Sequence, residues 1–446
     1  MMIKRLTNGF LFFLMLAPLF IHSQQDTTEQ KQRKRLNFSG LPVVAYDADM
    51  GLQYGLVANM YDYGDWKAYP EYRHMVKVEV SRFTKGSGIN QVFYDSKYLI
   101  PGIRFTADLS YLTEKGVDFY GFNGYQAIYR PEWEDDEDTS YITRMFYRHE
   151  RKMFRFTSDF QGQIAGERLR WLAGIGIMNF KTGTVDIDRL NKGKKESKIL
   201  PDTITLYDKY VEWGIIPEDE KNGGNANFIK AGLIFDTRDN EPNPMKGLWD
   251  ELMLVYSPGF FFNDGNSFLK LIAIHRQYFT IVKKKVNFGY RLGYQGTIAG
   301  HTPFYFQPYM LNSFSSITKT DGLGGAKNLR GILRNRVVGD GIVWGNAEVR
   351  WRITDFVIAK QKFYVGLNVF GDVGMVVQKM DFNIPKTAET AEYFDWANSG
   401  DKLHPSVGAG LRIGWNENFI IAVDYGFALD QRDGMRGLYI AFGNLF

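Results

Sequence analysis

The feature that most constrains this chain is a two-residue alternation that returns in segment after segment. Val286, Phe288, Tyr290, Leu292 and Tyr294 fall on one side, and Asn287, Gly289, Arg291, Gly293 and Gln295 on the other. The same division sets Val343, Ala347, Val349, Trp351 and Ile353 against Asn346, Glu348, Arg350 and Arg352. It sets Val365, Leu367, Val369 and Val373 against Asn368 and Asp372, and Phe419, Ile421, Val423, Tyr425 and Phe427 against Ala422, Asp424 and Gly426. Period two is the period of a β-strand. In a water-soluble sandwich the polar side would face solvent. A whole chain of such segments, apolar on one side and charged or glycine-bearing on the other, predicts instead a transmembrane antiparallel β-barrel, with lipid outside and a polar lumen inside.

The N-terminus carries an export pattern. Lys4 and Arg5 precede a 12-residue apolar run, Phe10 to Ile21. That run is too short to span a bilayer, which takes about 20 helical residues. Ser23 supplies a small residue for cleavage, so residues 1–23 are expected to be a signal peptide removed near Ser23. No later run reaches the roughly 18 apolar residues of a transmembrane helix. An exported chain of this kind enters a membrane only as a closed barrel, because lipid leaves no other way to satisfy a non-helical backbone. Composition agrees: 35 Phe, 26 Tyr and 46 Gly stand beside only 14 Pro. The absence of Cys excludes disulfides, thiolate chemistry and Cys-ligated zinc. The 54 Lys and Arg are spread among 50 Asp and Glu, which leaves no nucleic-acid footprint.

Three regions follow: the signal peptide 1–23, a short basic arm 24–40 and a barrel 41–446. The barrel segments predict about sixteen strands, at 41–48, 51–62, 72–84, 89–99, 102–113, 145–164, 169–181, 226–237, 248–258, 267–282, 285–298, 342–353, 362–376, 405–415, 418–428 and 437–446. Sixteen is even, and the long connections 114–144, 182–225, 299–341, 377–404 and 429–436 all follow odd-numbered strands, as in outer-membrane barrels. The basic run Lys31 to Arg35 is either a solvated arm or a contact for lipid headgroups or an acidic partner.

Several motifs carry a resemblance. Leu329-Arg330-Gly331, within Gly322 to Arg336, resembles the tip of the sixth extracellular loop of BamA/TamA-type outer-membrane proteins, the bacterial surface antigen superfamily. Phe370-Gly371-Asp372-Val373-Gly374 is similar to that family's thirteenth-strand motif, and Glu348 to its acidic wall position on the twelfth strand. Asp236 to Asn240 resembles its periplasmic turn, Leu41 to Gly51 its opening hairpin, and Leu438, Ile440, Phe442 and Phe446 its C-terminal assembly signal. Ile332 departs from the aromatic usual at the loop tip, and the family's periplasmic POTRA docking domains are not expected in this short form.

The resemblance implies that the long loop folds into the lumen, with Arg330 meeting the acidic partners Glu348 and Asp372. A planar guanidinium suits the task, since it binds a carboxylate through two hydrogen bonds. It also implies a lateral seam between the first and last strands, expected at Leu41, Val43, Gly443 and Phe446. The function implied is help with assembly or transport of protein, or lipid, at the outer membrane of a Gram-negative bacterium. The alternative is a passive channel for small solutes.

Arg291, Arg350, Arg352 and Arg412 either bias a pore toward anions or pair with lumen carboxylates. The acidic stretch Glu132 to Asp138 is either a cation site or a solvated loop, and it lacks the D-x-D-x-D-G spacing of a calcium loop. His74, His149, His275, His301 and His404 are scattered, and neither a nucleophile elbow nor a phosphate loop is present, so no enzyme activity, cofactor or metal is expected. The expected partners are outer-membrane lipids, with polypeptide clients or accessory proteins as further candidates, around a monomeric barrel that binds no nucleic acid.

Overall fold

The computed structural model describes residues 34–446 except 48–49, 68–70, 264, 314–320, 360, 398–399 and 416–418. The expected signal peptide and most of the basic arm therefore lie outside the described residues. The remainder is a closed antiparallel barrel of sixteen strands. In chain order they are β1 (Leu36–Asp47), β2 (Gly51–Asp62), β3 (His74–Phe83), β4 (Gly88–Ile100), β5 (Ile103–Asp118), β6 (Arg148–Ala165), β7 (Leu169–Gly183) and β8 (Phe228–Asp236). They continue with β9 (Gly247–Ser257), β10 (Phe268–Val282), β11 (Val286–Gly300), β12 (Gly341–Ile358), β13 (Gln361–Gln378), β14 (His404–Trp415), β15 (Phe419–Ala428) and β16 (Arg436–Phe442). A three-residue strand, Gly223–Asn225, adds to the edge of β7 before β8 begins. Each long strand pairs with the next, and β16 returns to β1. Among the described residues no helix is long and apolar enough to cross a membrane.

Burial follows the alternation. Along β13, Asn368, Phe370 and Asp372 are buried while Leu367 and Val369 are exposed. Along β11, Asn287, Arg291 and Gln295 are buried and Leu292 is 55% exposed. The outward positions of these strands are thus mainly apolar. Near one rim the barrel carries a chain of ring contacts, Phe356–Phe363–Trp415–Phe419–Phe442, at centroid separations of 5.6, 5.8, 5.9 and 5.4 Å. Aromatic girdles of this kind mark where an apolar band meets a membrane interface.

Several boundaries differ from expectation, and three of them have a clear physical reason. β1 starts at Leu36, inside the stretch read as a periplasmic arm, because residues 36–40 complete the ladder with β2. β12 runs to Ile358 instead of ending at 353. An irregularity between Arg352 and Thr354 shifts the register against β13, which breaks the two-residue phase there. β16 stops at Phe442, where Gly443 turns the chain with φ +83°.

The long connections at the end opposite that girdle are folded, not splayed. Described residues of 119–147, 184–227, 301–340 and 379–403 contribute to one core cluster that contains Tyr120, Phe122, Tyr147, Tyr210, Phe306 and Phe394, and Asp433 of the connection 429–435 joins them by hydrogen bonds from Tyr125 and Leu333. The cluster's rings meet edge-on or tilted, as Phe119 and Tyr210 do at 5.1 Å. A short helix, Leu206–Glu212, is fixed in this cap by a reciprocal box between Thr205 and Asp208.

Candidate functional site

Arg330, 1% exposed, lies where β12, β13 and β15 present carboxylates inward. Its Nε and Nη2 donate to Asp372 Oδ2 and Oδ1 at 2.9 and 3.0 Å, a two-bond fork, and its main-chain N–H donates to Asp372 Oδ2 at 3.1 Å. Nη1 donates to Asp424 Oδ2 at 3.2 Å and forms an ion pair with Glu348 Oε1 at 2.6 Å, without the alignment of a hydrogen bond. The guanidinium carbon stands 3.4 Å from the centre of the Phe370 ring. Two wall arginines share the same acids: Arg350 Nε donates to Glu348 at 2.8 Å, and Arg412 donates to Asp424 at 2.6 and 3.1 Å. Three guanidinium groups therefore face three carboxylates. That balance matters, because a buried charge left without its partner costs several kcal/mol.

The flanking motif residues explain how the arginine gets there. Leu329 is fully buried. Gly331 adopts φ +94°, and a Cβ there would lie 2.6 Å from the main chain of Gly426 and of Phe427 on β15. Only a residue without a side chain permits that approach. The Gly331 N–H donates to the Tyr439 hydroxyl on β16 at 3.1 Å. Ile332, standing where the family has an aromatic, is 1% exposed.

Asp424 was on the polar side of its strand in the sequence but not named as a partner. Sequence reasoning also missed the two arginines that follow the motif. Arg334 reaches Glu114 at 2.9 Å and Asp321 at 2.5 Å, and Arg151 on β6 binds the same two acids at 2.6 and 2.9 Å. Arg336 donates to the carbonyls of Gly124, Ala127 and Arg432 at 3.1, 3.0 and 2.8 Å. The described part of loop 301–340 is thus tied to β12, β13 and β15 through Arg330, to β5 through Arg334, to β6 through Asp321, and to neighbouring loops through Arg336. The only available signal was the RNR triplet, whose partners lie as far as 220 residues away. A separate buried cluster ties the cap together. His404 meets Asp433 at 2.7 Å and Asp401 at 3.1 Å, and Tyr125 donates to Asp433 at 2.6 Å.

The seam is built differently. Among the described residues, β1 and β16 share two opposed pairs, Tyr46 with Ile440 and Asp47 with Tyr439, whereas β1 and β2 share twelve. None of the four residues expected at the seam takes part. Leu41 and Val43 pair only with β2, opposite Val57 and Gly55. Gly443 is the turn. Phe446 sits away from the seam: its main-chain oxygen accepts from Arg350 Nη2 at 2.8 Å, and Arg350 and Arg291 stand 5.1 and 5.4 Å from its ring. Asn444 bonds Arg412 and Asn243 on the way. The physical reason is the positive φ at Gly443, which aims the tail inward. Extending the observed register would have set Gly443 opposite Val43 and Leu445 opposite Leu41.

The remaining candidates are paired. Arg291 donates to Asn346 and the Lys327 carbonyl, and Arg352 pairs with Asp355. In the acidic stretch, Asp136 holds Arg144 and Glu134 holds Arg148. Among the described residues no group of three His, Cys, Asp or Glu side chains is placed to hold a metal ion.

A family model described as the Omp85 superfamily domain matches residues 74–446. No curated protein matches the chain. The solved structure of BamA from Haemophilus ducreyi lacking POTRA domains 1–3 is similar over 93% of this chain and 71% of that one, at 14% identity and a TM-score of 0.53. CdiB from Escherichia coli is similar over 92% of this chain and 63% of its own length, at 9% identity and a TM-score of 0.52. This chain thus spans less than two thirds of CdiB. At these identities the likeness is one of fold.

Proposed function

Because the chain belongs to the Omp85 superfamily, we propose that it assists the assembly or transport of protein, or of lipid, at the Gram-negative outer membrane. In this proposal the long loops face outward, and loop 301–340 stoppers the lumen through Arg330, with Glu348 and Asp372 as its principal acids. The wall opens at the seam between β1 and β16. Polypeptide clients meet the free stretch of β1 around Leu41 and Val43 by strand addition, in which main-chain hydrogen bonds supply affinity. The tail from Gly443 to Phe446, held across the mouth by Arg350, keeps that stretch of β1 uncovered.

The observation that carries this reading is the two-pair seam. A wall strand with so few partners is the least costly place for a closed sheet to part, since each opened pair forfeits only its own hydrogen bonds. The chain has no cysteine, so Tyr46→Cys with Ile440→Cys supplies one defined cross-link. In proteoliposomes holding the purified protein, a urea-unfolded eight-stranded outer-membrane barrel is expected to fold faster than in empty vesicles. Oxidising the cysteine pair should abolish the acceleration, and reductant should restore it. Equal acceleration with the seam locked would overturn the seam's role. Steady, high conductance of the unmodified protein in planar bilayers would favour the passive channel instead.

A further inference from the structure

The connection between β9 and β10 exposes its aromatic residues instead of burying them in the cap. Phe260 is 88% exposed and Phe262 78%. Leaving a large apolar side chain in water forgoes the gain of burying it. Phe262 also holds φ +54°, the left-handed region, which is strained for a residue with a side chain. Two costs at one hairpin tip need an opposing gain.

The tip is also built to hold this shape. Asn263, 1% exposed, donates through Nδ2 to the Ser257 hydroxyl and to the carbonyls of Asn227 and Pro258 at 2.8–2.9 Å, while its Oδ1 accepts from the Asn227 N–H at 2.7 Å. Asn227 Nδ2 in turn donates to the Phe261 and Phe262 carbonyls at 2.9 and 3.3 Å. A buried polar network this complete rigidifies what it supports. Beneath the tip, β9 shows alternate exposed residues, Leu252, Leu254 and Tyr256, and the end of β11 shows Ile298 at 50%. From Leu252 to Asn263 the sequence contains no charged residue. A protein-binding patch carries a polar rim around its apolar centre. This strip instead continues the lipid-facing side of the barrel past the end of the strand.

We propose that Phe260 and Phe262 form a rigid aromatic finger that inserts among lipid acyl chains of the leaflet at the long-loop end. The finger stands on β9 and β10, half the barrel away from the seam, and anchors that side of the wall at a fixed depth. Insertion recovers the burial forgone in water and offsets the strain at Phe262.

The absence of cysteine allows a single spin label at Phe260→Cys or Phe262→Cys, with Leu254→Cys and Glu137→Cys as lipid and water references. In phosphatidylcholine–phosphatidylglycerol vesicles, both finger labels should collide several-fold more with oxygen than with a water-soluble nickel chelate, as at position 254. Nickel-dominated collisions, as at position 137, would overturn the proposal and leave the finger as a water-exposed or protein-docking tip. The unmodified protein gives a second measurement. A phosphatidylcholine bearing a diazirine in its acyl chain should leave adducts on the peptide spanning 258–263. Adducts confined to 252–256 would also overturn it.

Discussion

Two places where distant parts of the chain meet are built in opposite ways. At Arg330, a loop residue is buried among acids from three strands, with two further arginines sharing those acids and a ring stacked beneath. At the seam, among the described residues, the first and last strands of the barrel share two residue pairs, against seventeen between β12 and β13. Charge, fork geometry and a glycine contact all concentrate on the first. The second has a few main-chain hydrogen bonds and a tail that bends away. The contrast teaches that closure of a sheet and retention of a loop packed against it are separate properties, set by different physics. One depends on desolvated charge, where breaking a pair is costly. The other depends on ladder length, where each bond contributes only about 1 kcal/mol net.

The largest expected effect breaks the strong side. Arg330→Ala strands Glu348, Asp372 and Asp424 with only Arg350 and Arg412 to balance them. It should lower stability to denaturant by about 3–5 kcal/mol and raise conductance in planar bilayers. Unchanged conductance and stability would refute the loop's role as a stopper. Gly331→Ala comes next. It keeps every charge but forces a side chain into the main chain of β15 at a positive φ. A loss of about 2 kcal/mol is expected, read as a lower midpoint for the heat-modifiable shift in gel mobility.

The weak side is sharpened by Phe446→Ala. Losing the ring contacts with Arg350 and Arg291 costs about 1 kcal/mol. With the turn at Gly443 kept, the tail should still stay off β1, seen as amide exchange at Val43 to Ala45 that remains fast. Slowed exchange there would mean that the ring, and not the turn at Gly443, keeps the ladder short.

The smallest effect lies in the cap. His301 meets Glu220 at 2.7 Å, and that hydrogen bond raises its imidazole above the ordinary value near 6.5. A raised folded value makes the contribution complete below about pH 6.5 and lost as pH climbs through the higher folded value. His301→Gln should therefore flatten the decline in cap stability above about pH 6.5. The change should stay within a fraction of a kcal/mol, because the histidine is 57% exposed. Hydrogen exchange of residues 301–307 reads it.

The strands were legible in the sequence because each must present one side to lipid and the other to the interior, which prints a two-residue period. Where an irregularity interrupts the period, as between Arg352 and Thr354, the strand end was misplaced by five residues. Glu348 and Asp372 could be placed on the inward side by alternation, and the resemblance tied them to Arg330. Asp424 could not be tied to it, since alternation says which side a residue faces and nothing about how far a loop reaches around the ring. The seam was misassigned for a related reason. Its register depends on where the last strand stops, and that is decided by a single backbone angle at Gly443. The partners of Arg334 and Arg336 were invisible because they depend on how five loops fold together, which no local pattern records.

Equal numbers of positive and negative groups around Arg330 have one more consequence. If the loop stoppers the lumen as proposed, withdrawing it takes Arg330 from this site and leaves Arg350 and Arg412 there against Glu348, Asp372 and Asp424. The vacated space would carry a sign. Anything that took the loop's place would be favoured if it brought a positive charge of its own, and an acidic intruder would be repelled before it made contact.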